Sequence, residues 1–205
     1  MKRREILFVA VALLAVSPVS PVSAQRHGAD TTYGSSHDMP TDDVPRPVSR
    51  DAASQAAELR MSGKCDKAVP ILRRVVNNGG SEISQFNLGM CLLDLAAADR
   101  DAQRAAPMTA EGAQWIVLSA NAGFPQAQSK AVALYLDGVG VPPDPVEAKK
   151  WELLYKRNVD RALFGLPDIQ GEVVERLDVA VTGDKRAEAR ARANRWTKVP
   201  VSNNE

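Results

Sequence analysis

Three sets of side chains in this 205-residue chain are of types that do chemistry. The first is a pair of thiols, Cys65 and Cys91, the only cysteines. In an oxidising compartment an even pair invites a disulfide, against the competing reading of two buried free thiols. The second is a pair of imidazoles, His27 and His37, which would ligate a metal only if held together. They lie about ten residues apart in a stretch of Ser, Thr, Asp, Pro and Gly, so they read as solvated side chains. The third is a set of carboxylates, Glu111, Asp144, Glu147 and Glu152, better explained as helix caps and solvated faces than as acid–base machinery. No histidine lies in residues 51–205 to serve either cysteine or any serine as a base. Gly138-Val139-Gly140 lacks the third glycine, the preceding strand and the Lys-Ser/Thr pair of a nucleotide loop. The expectation is no catalytic set, no cofactor and no metal site.

The elements that must position these groups are helices. Asp137 to Trp151 reads as a helix end, a tight loop and a helix start. Gly138 and Gly140 adopt positive φ at low cost, as a helix C-cap requires. Asp144 is a good N-cap, Pro145 suits the first helical position, and Glu147 lies three residues past the cap. Ala148, Trp151 and Tyr155 then define one apolar face at helical spacing. From about Asp51 the helical period does not stop. Ala53, Ala56, Ala57 and Met61 form a first stripe. Asp66 to Val76 carries a second, with Ala68 and Leu72 inward. Ser81 opens a third helix, faced by Phe86, Leu88, Leu92 and Leu95. Asp99 to Pro107 reads as a polar joint before a helix opening at Thr109 and running through Trp115 and Leu118. Pro125 opens the next, with Ala127, Ala131, Leu134 and Tyr135 inward. Beyond Pro167, Ile169, Val173, Leu177 and Val181 predict a further amphipathic helix, ended by Gly183. Asp184 to Lys198 is the last helix. No strand period of useful length occurs.

The N-terminus carries an address. Met1-Lys2-Arg3-Arg4 is a basic region, Ile6 to Val16 an apolar run, and Val22-Ser23-Ala24 a small-residue cleavage signal. The run is well short of the ~20 residues that span a bilayer. Residues 1–24 are therefore expected to be a cleaved Sec-type signal peptide of a bacterial protein, with no transmembrane segment afterwards and a periplasmic or secreted destination. Residues 25–50 lack either period and read as a disordered linker. Residues 51–160 hold helical repeats, 161–199 C-terminal capping helices, and 200–205 a disordered tail. Removing Lys2, Arg3, Arg4 and Glu5 takes the formal charge from +1 to about −1. So balanced a chain has no general field for nucleic acid or acidic membranes.

Trp115 and Trp151 stand 36 residues apart, with parallel small residues around them. A period of that length in paired helices signals a solenoid, in which each hairpin buries its apolar face on the next. Ala127-Gln128, Tyr135, Gly138-Val139-Gly140-Val141-Pro142, Asp144, Ala148 and Trp151 resemble a Sel-1-like repeat, a bacterial relative of tetratricopeptide repeats. Gly89, Trp115, Ala120 and Gly123 resemble a looser copy lacking the Gly-x-Gly joint. Gly63, Cys65 and Ala68 resemble a plain tetratricopeptide helix joint. The resemblance covers about residues 51–157. It implies an all-α, right-handed array of helix hairpins that binds a peptide or protein on its inner face. The expected function is a non-enzymatic periplasmic interaction or scaffolding module. Some cysteine-rich exported relatives of that family imply an alternative, an envelope enzyme or ligand-binding protein acting on cell-wall precursors or β-lactam-like compounds. Those carry cysteine pairs within each repeat, a spacing this chain lacks.

Two placements follow. In stacked hairpins Cys65, at a helix joint, and Cys91, midway along the next helix, both face one seam. A disulfide there closes a loop of about 26 residues, for ~3 kcal/mol on the entropic model. Cα atoms beyond ~7 Å apart would exclude it. The last helix carries Lys185, Arg186, Arg190, Arg192, Arg195 and Lys198 against Asp184 and Glu188. Read functionally, this is a contact for an anionic surface. Read structurally, it is a cap that docks Ala189, Ala193 and Trp196 on the array end, with solvated charges outside; the second reading is preferred.

Overall fold

The computed structural model describes residues 50–201. The expected signal peptide (residues 1–24), most of the expected linker (residues 25–49) and residues 202–205 lie outside the described residues, as do His27 and His37. Among the described residues the fold is all-α. The helices are α1 (Arg50–Met61), α2 (Cys65–Asn77), α3 (Glu82–Ala98), α4 (Ala102–Asn121), α5 (Pro125–Asp137), α6 (Pro145–Lys156), α7 (Val159–Leu163), α8 (Gly171–Ala180) and α9 (Gly183–Arg195). From α1 to α6 each helix packs on the next in chain order; α1 also touches α3, and α9 lies against α6. None of these helices is long and apolar enough to cross a membrane.

Two apolar clusters result. The first joins Ala56, Cys65, Ala68, Leu72, Leu88, Cys91 and Leu92 from α1 to α3. The second runs from Ala113 and Ile116 through Ala127, Ala131, Leu134, Ala148 and Trp151 to Leu177, Val181 and Ala193. The small residues are the means of close approach. A Cβ on Gly89 would stand 2.6 Å from the Gly112 carbonyl oxygen, and one on Gly112 would stand 2.8 Å from that of Gly89. Only two glycines let α3 and α4 touch backbone to backbone there.

Several elements differ from their sequence reading. The expected joint at Asp99–Pro107 is only Asp99-Arg100-Asp101 long, and α4 begins at Ala102. Asp101 accepts the Gln103 N–H at 2.9 Å, and Arg104 reaches back to both oxygens of Asp99. These local bonds start the helix early, and Pro107 lies on its exposed side, where the missing N–H is tolerated. The buried face of α4 is Gly112, Ala113, Ile116, Ser119 and Ala120. Leu118 is half exposed and Trp115 partly buried. Met61 closes the first stripe in sequence but points to solvent. Gly183 begins α9 rather than only ending α8, and Ile169 and Val181 flank α8 rather than lie in it. The short α7 interrupts the interval before Pro167.

Candidate functional site

The sequence-predicted residues of the joint meet as a frame. Asp144 caps α6, its Oδ1 accepting the Val146 and Glu147 N–H groups at 3.0 Å. Gly138 ends α5 in the left-handed region at φ 70°, and Gly140 repeats that conformation. Gly140 lies so close to the Thr109 carbonyl and Ala113 that a side chain would not fit. The Gly-x-Gly joint that follows α5 therefore seats on α4. Ala127 and Ala148 are fully buried, and Trp151 is 0% exposed at the centre of the second cluster. Tyr135 is partly buried; burial, then Glu147 and Asp144, push its phenol above the ordinary range. Gly123 turns the chain from α4 to α5. Cys65 and Cys91 form a disulfide, with Cα atoms 5.0 Å apart across the α2–α3 seam.

A groove opens on the side of α3 and α5. Its cavity of about 380 Å³ is lined by Phe86 and Met90 of α3, by Gln126, Ser129, Lys130 and Ala133 of α5, and by Pro167, Asp168, Ile169, Gln170 and Val173. Phe86 is fixed by an edge-to-face contact with Phe124, centroids 5.3 Å apart, and by the Arg60 guanidinium over its ring. The floor is thus apolar and rigid. Gln126 presents a buried Oε1 with no hydrogen-bond partner. A buried, unsatisfied acceptor is disfavoured by about 1–3 kcal/mol, and a donor in the groove would satisfy this one only once the Gln126 side chain turns toward it. Among the described residues there is no group of three or more His, Cys, Asp or Glu able to hold a metal ion.

No family model, curated protein or solved structure matches this chain. The geometry of its own residues therefore carries the functional reading.

The carboxylates singled out in the sequence serve as structure, though not all as solvated faces. Glu111 takes a two-pronged bond from Arg73, at 2.5 and 2.7 Å, and accepts Trp115 Nε1 at 3.2 Å, tying α2 to α4. Glu152 is a correction: it is 0% exposed. Lys149 and Lys156 stand 2.9 and 2.5 Å from its oxygens as ion pairs rather than aligned hydrogen bonds. Lys149 also reaches Asp178 of α8 at 2.8 Å. Burial works against the Lys149 charge, but Asp178 and Glu152 outweigh it and hold the ammonium above its usual range. A Lys-x-x-Glu spacing inside a helix is also that of a surface pair, so nothing in the sequence marked this one as buried.

Other bracing groups were missed as well. Asn158 caps α7 while its Nδ2 donates to Gly123 O at 2.9 Å and to Gln128 Oε1 at 2.8 Å. Its place just before a short helical run is a cap signal, but the contact to residues about 30 positions earlier is not local. Arg192 joins Glu188 of its own helix to Asp144 and Glu147 of α6. Arg157 donates to the Ala193 carbonyl and to Asn194. On α9, Ala189 and Ala193 are buried while Lys185, Arg190 and Arg195 are exposed.

Proposed function

We propose that this protein is a non-enzymatic interaction module of the bacterial cell envelope. In this reading it is exported, its helix hairpins stack as a right-handed Sel-1-like array, and it holds a peptide segment of a partner protein. The packing of α1 to α6 in chain order and the 36-residue spacing of Trp115 and Trp151 support the array. In such an array the first helix of each hairpin (α1, α3 and α5) lines the inner face. The groove between α3 and α5 falls on that face. The disulfide supports the oxidising compartment that export implies.

The observation that carries the binding reading is the groove itself, with Phe86 and Met90 on its α3 side and Gln126 among its α5 lining. In this reading an extended segment of a partner supplies side chains for Phe86 and Met90, and its backbone N–H draws the Gln126 side chain into the groove. The test is a photo-crosslinking residue at Ser129, inside the groove, with one at Gln103 on the exposed side of α4 as control. Adducts from Ser129 alone, lost when Ala133→Phe fills the groove, are the expected result. Equal labelling from both positions would refute the reading.

A further inference from the structure

The short helix α7 buries none of its residues, and its large apolar side chains face solvent. Val159 is 72% exposed, Leu163 79%, and Phe164, which ends the helix, 71%. Val159 and Leu163 are four residues apart, on one helix face, and Phe164 follows at the tip. Gly165 then turns the chain in the left-handed region, with open space where a Cβ would stand. The base below the tip is braced. Tyr155 Oη donates to the Pro167 carbonyl at 2.6 Å, and Arg161 pairs with Asp168 and lies over the Tyr155 ring. Three large apolar side chains are therefore displayed together on a held projection, the kind of patch that marks a contact surface.

Cations stand beside this tip. Arg157, just before α7, donates to the Ala193 carbonyl and to Asn194 Oδ1 of α9, which keeps it at the surface. The Lys198 stem passes over Gly123, its Cε 3.0 Å from where a Cβ would stand, and the Gly123 carbonyl accepts the Asn158 cap of α7. One cavity of about 580 Å³ is lined by Arg157, Lys198 and Val159 together. Asp160 is the one carboxylate on that lining, and Asp168 is already matched by Arg161. The local balance around the apolar tip is positive.

We propose that this end of the molecule docks on an anionic phospholipid surface. Val159, Leu163 and Phe164 enter the boundary between headgroups and acyl chains, and Arg157 and Lys198 meet lipid phosphates. The combination of tip and cations decides the occupant. A second copy of this chain would bring the same cations face to face. A membrane interface takes both features at once: it deforms around a projecting tip, and the Lys and Arg stems carry their charges to the headgroups. The chain as a whole is near neutral, so the attraction is local, about fivefold in affinity for each cation. None of these five residues lines the α3–α5 groove, and the inference stands apart from peptide binding there.

The test is sedimentation of the chain, purified after export, with vesicles of equal parts phosphatidylglycerol and phosphatidylcholine. Export matters because the apolar run at residues 6–16 would bind vesicles by itself. The parent is expected to sediment with these vesicles and to stay in solution with pure phosphatidylcholine. Leu163→Ser with Phe164→Ser is expected to weaken binding at least about tenfold, and Lys198→Gln about fivefold. All three positions are exposed, so the variants are expected to keep the parent's circular dichroism. Val179→Ser, which removes a comparably exposed apolar side chain from α8, is expected to change nothing. No sedimentation of the parent, equal binding to neutral vesicles, or a loss from Val179→Ser as large as from the α7 pair would overturn the proposal. A parent that dimerises in light scattering and loses its dimer with Leu163→Ser and Phe164→Ser would also overturn it, since the tip would then meet a second copy.

Discussion

Arg192 of α9 holds Asp144, the residue that caps α6: its Nη1 stands 2.9 Å from Asp144 Oδ2 while Oδ1 accepts two backbone N–H groups. One carboxylate therefore starts a helix and anchors the last helix of the chain. Burial works to raise the Asp144 pKa, but the Glu147 N–H, Arg192 and the Val146 N–H outweigh it and hold the carboxyl below its ordinary range. A depressed carboxyl pKa contributes stability above the unfolded value of about 3.9, and that contribution disappears as pH falls through the lower folded value. Urea titrations at neutral pH and near pH 3 are expected to differ less for Arg192→Met than for the parent. An unchanged difference would show that the pair does not set this acid sensitivity.

Trp151 fills the centre of the second cluster. Trp151→Ala is expected to lower stability by ~3–5 kcal/mol. Its Nε1 has no hydrogen-bond partner, so Trp151→Phe loses volume but no bond and is expected to be clearly milder. Chemical denaturation of the two variants checks both the size and the order.

The disulfide ties α2 to α3 inside the first cluster, beside Leu72, Leu88 and Leu92. Cys65→Ala with Cys91→Ala is expected to lose about 3–4 kcal/mol, the value of a closed loop spanning the 26-residue separation. Mass spectrometry of the exported protein, alkylated under denaturing conditions without reduction, is expected to show no added groups.

Glu152 is a buried carboxylate between two ammonium groups. Lys149 keeps Asp178 and Lys156 is half exposed, so Glu152→Gln strands neither ammonium and is expected to cost about 1–3 kcal/mol. Replacing the buried pair together, Lys149→Met with Glu152→Leu, is expected to recover much of that loss. A double-mutant cycle measures the difference.

The helices were legible wherever a stripe, a cap and a breaker agreed. The joint from Gly138 to Trp151 is the best case, since its glycines, the Asp144 cap, Pro145 and the apolar face all lie within one short stretch. Legibility failed where long-range packing decided. Nothing near Leu118 says that Gly112, pressed on Gly89, turns the buried face of α4 away from it. Pro107 signals a break, but Asp101 and Arg104 had already started the helix. The grooves were less legible than the fold, because Phe86, Gln126 and Ile169 lie far apart in sequence and meet only through the path of the chain after α6. The disulfide was readable because both thiols had a predicted place on one seam.

The central claim is that the α3–α5 groove binds an extended peptide. Its most direct measurement is the affinity of peptides, selected from a random library on the mature chain, for the parent, Ala133→Phe and Gln126→Leu. The account predicts that filling the groove with Ala133→Phe abolishes binding. It predicts that removing the acceptor with Gln126→Leu weakens binding about five- to thirtyfold, the equivalent of one hydrogen bond at about 1–2 kcal/mol. Selected peptides that bind all three proteins equally would contradict it.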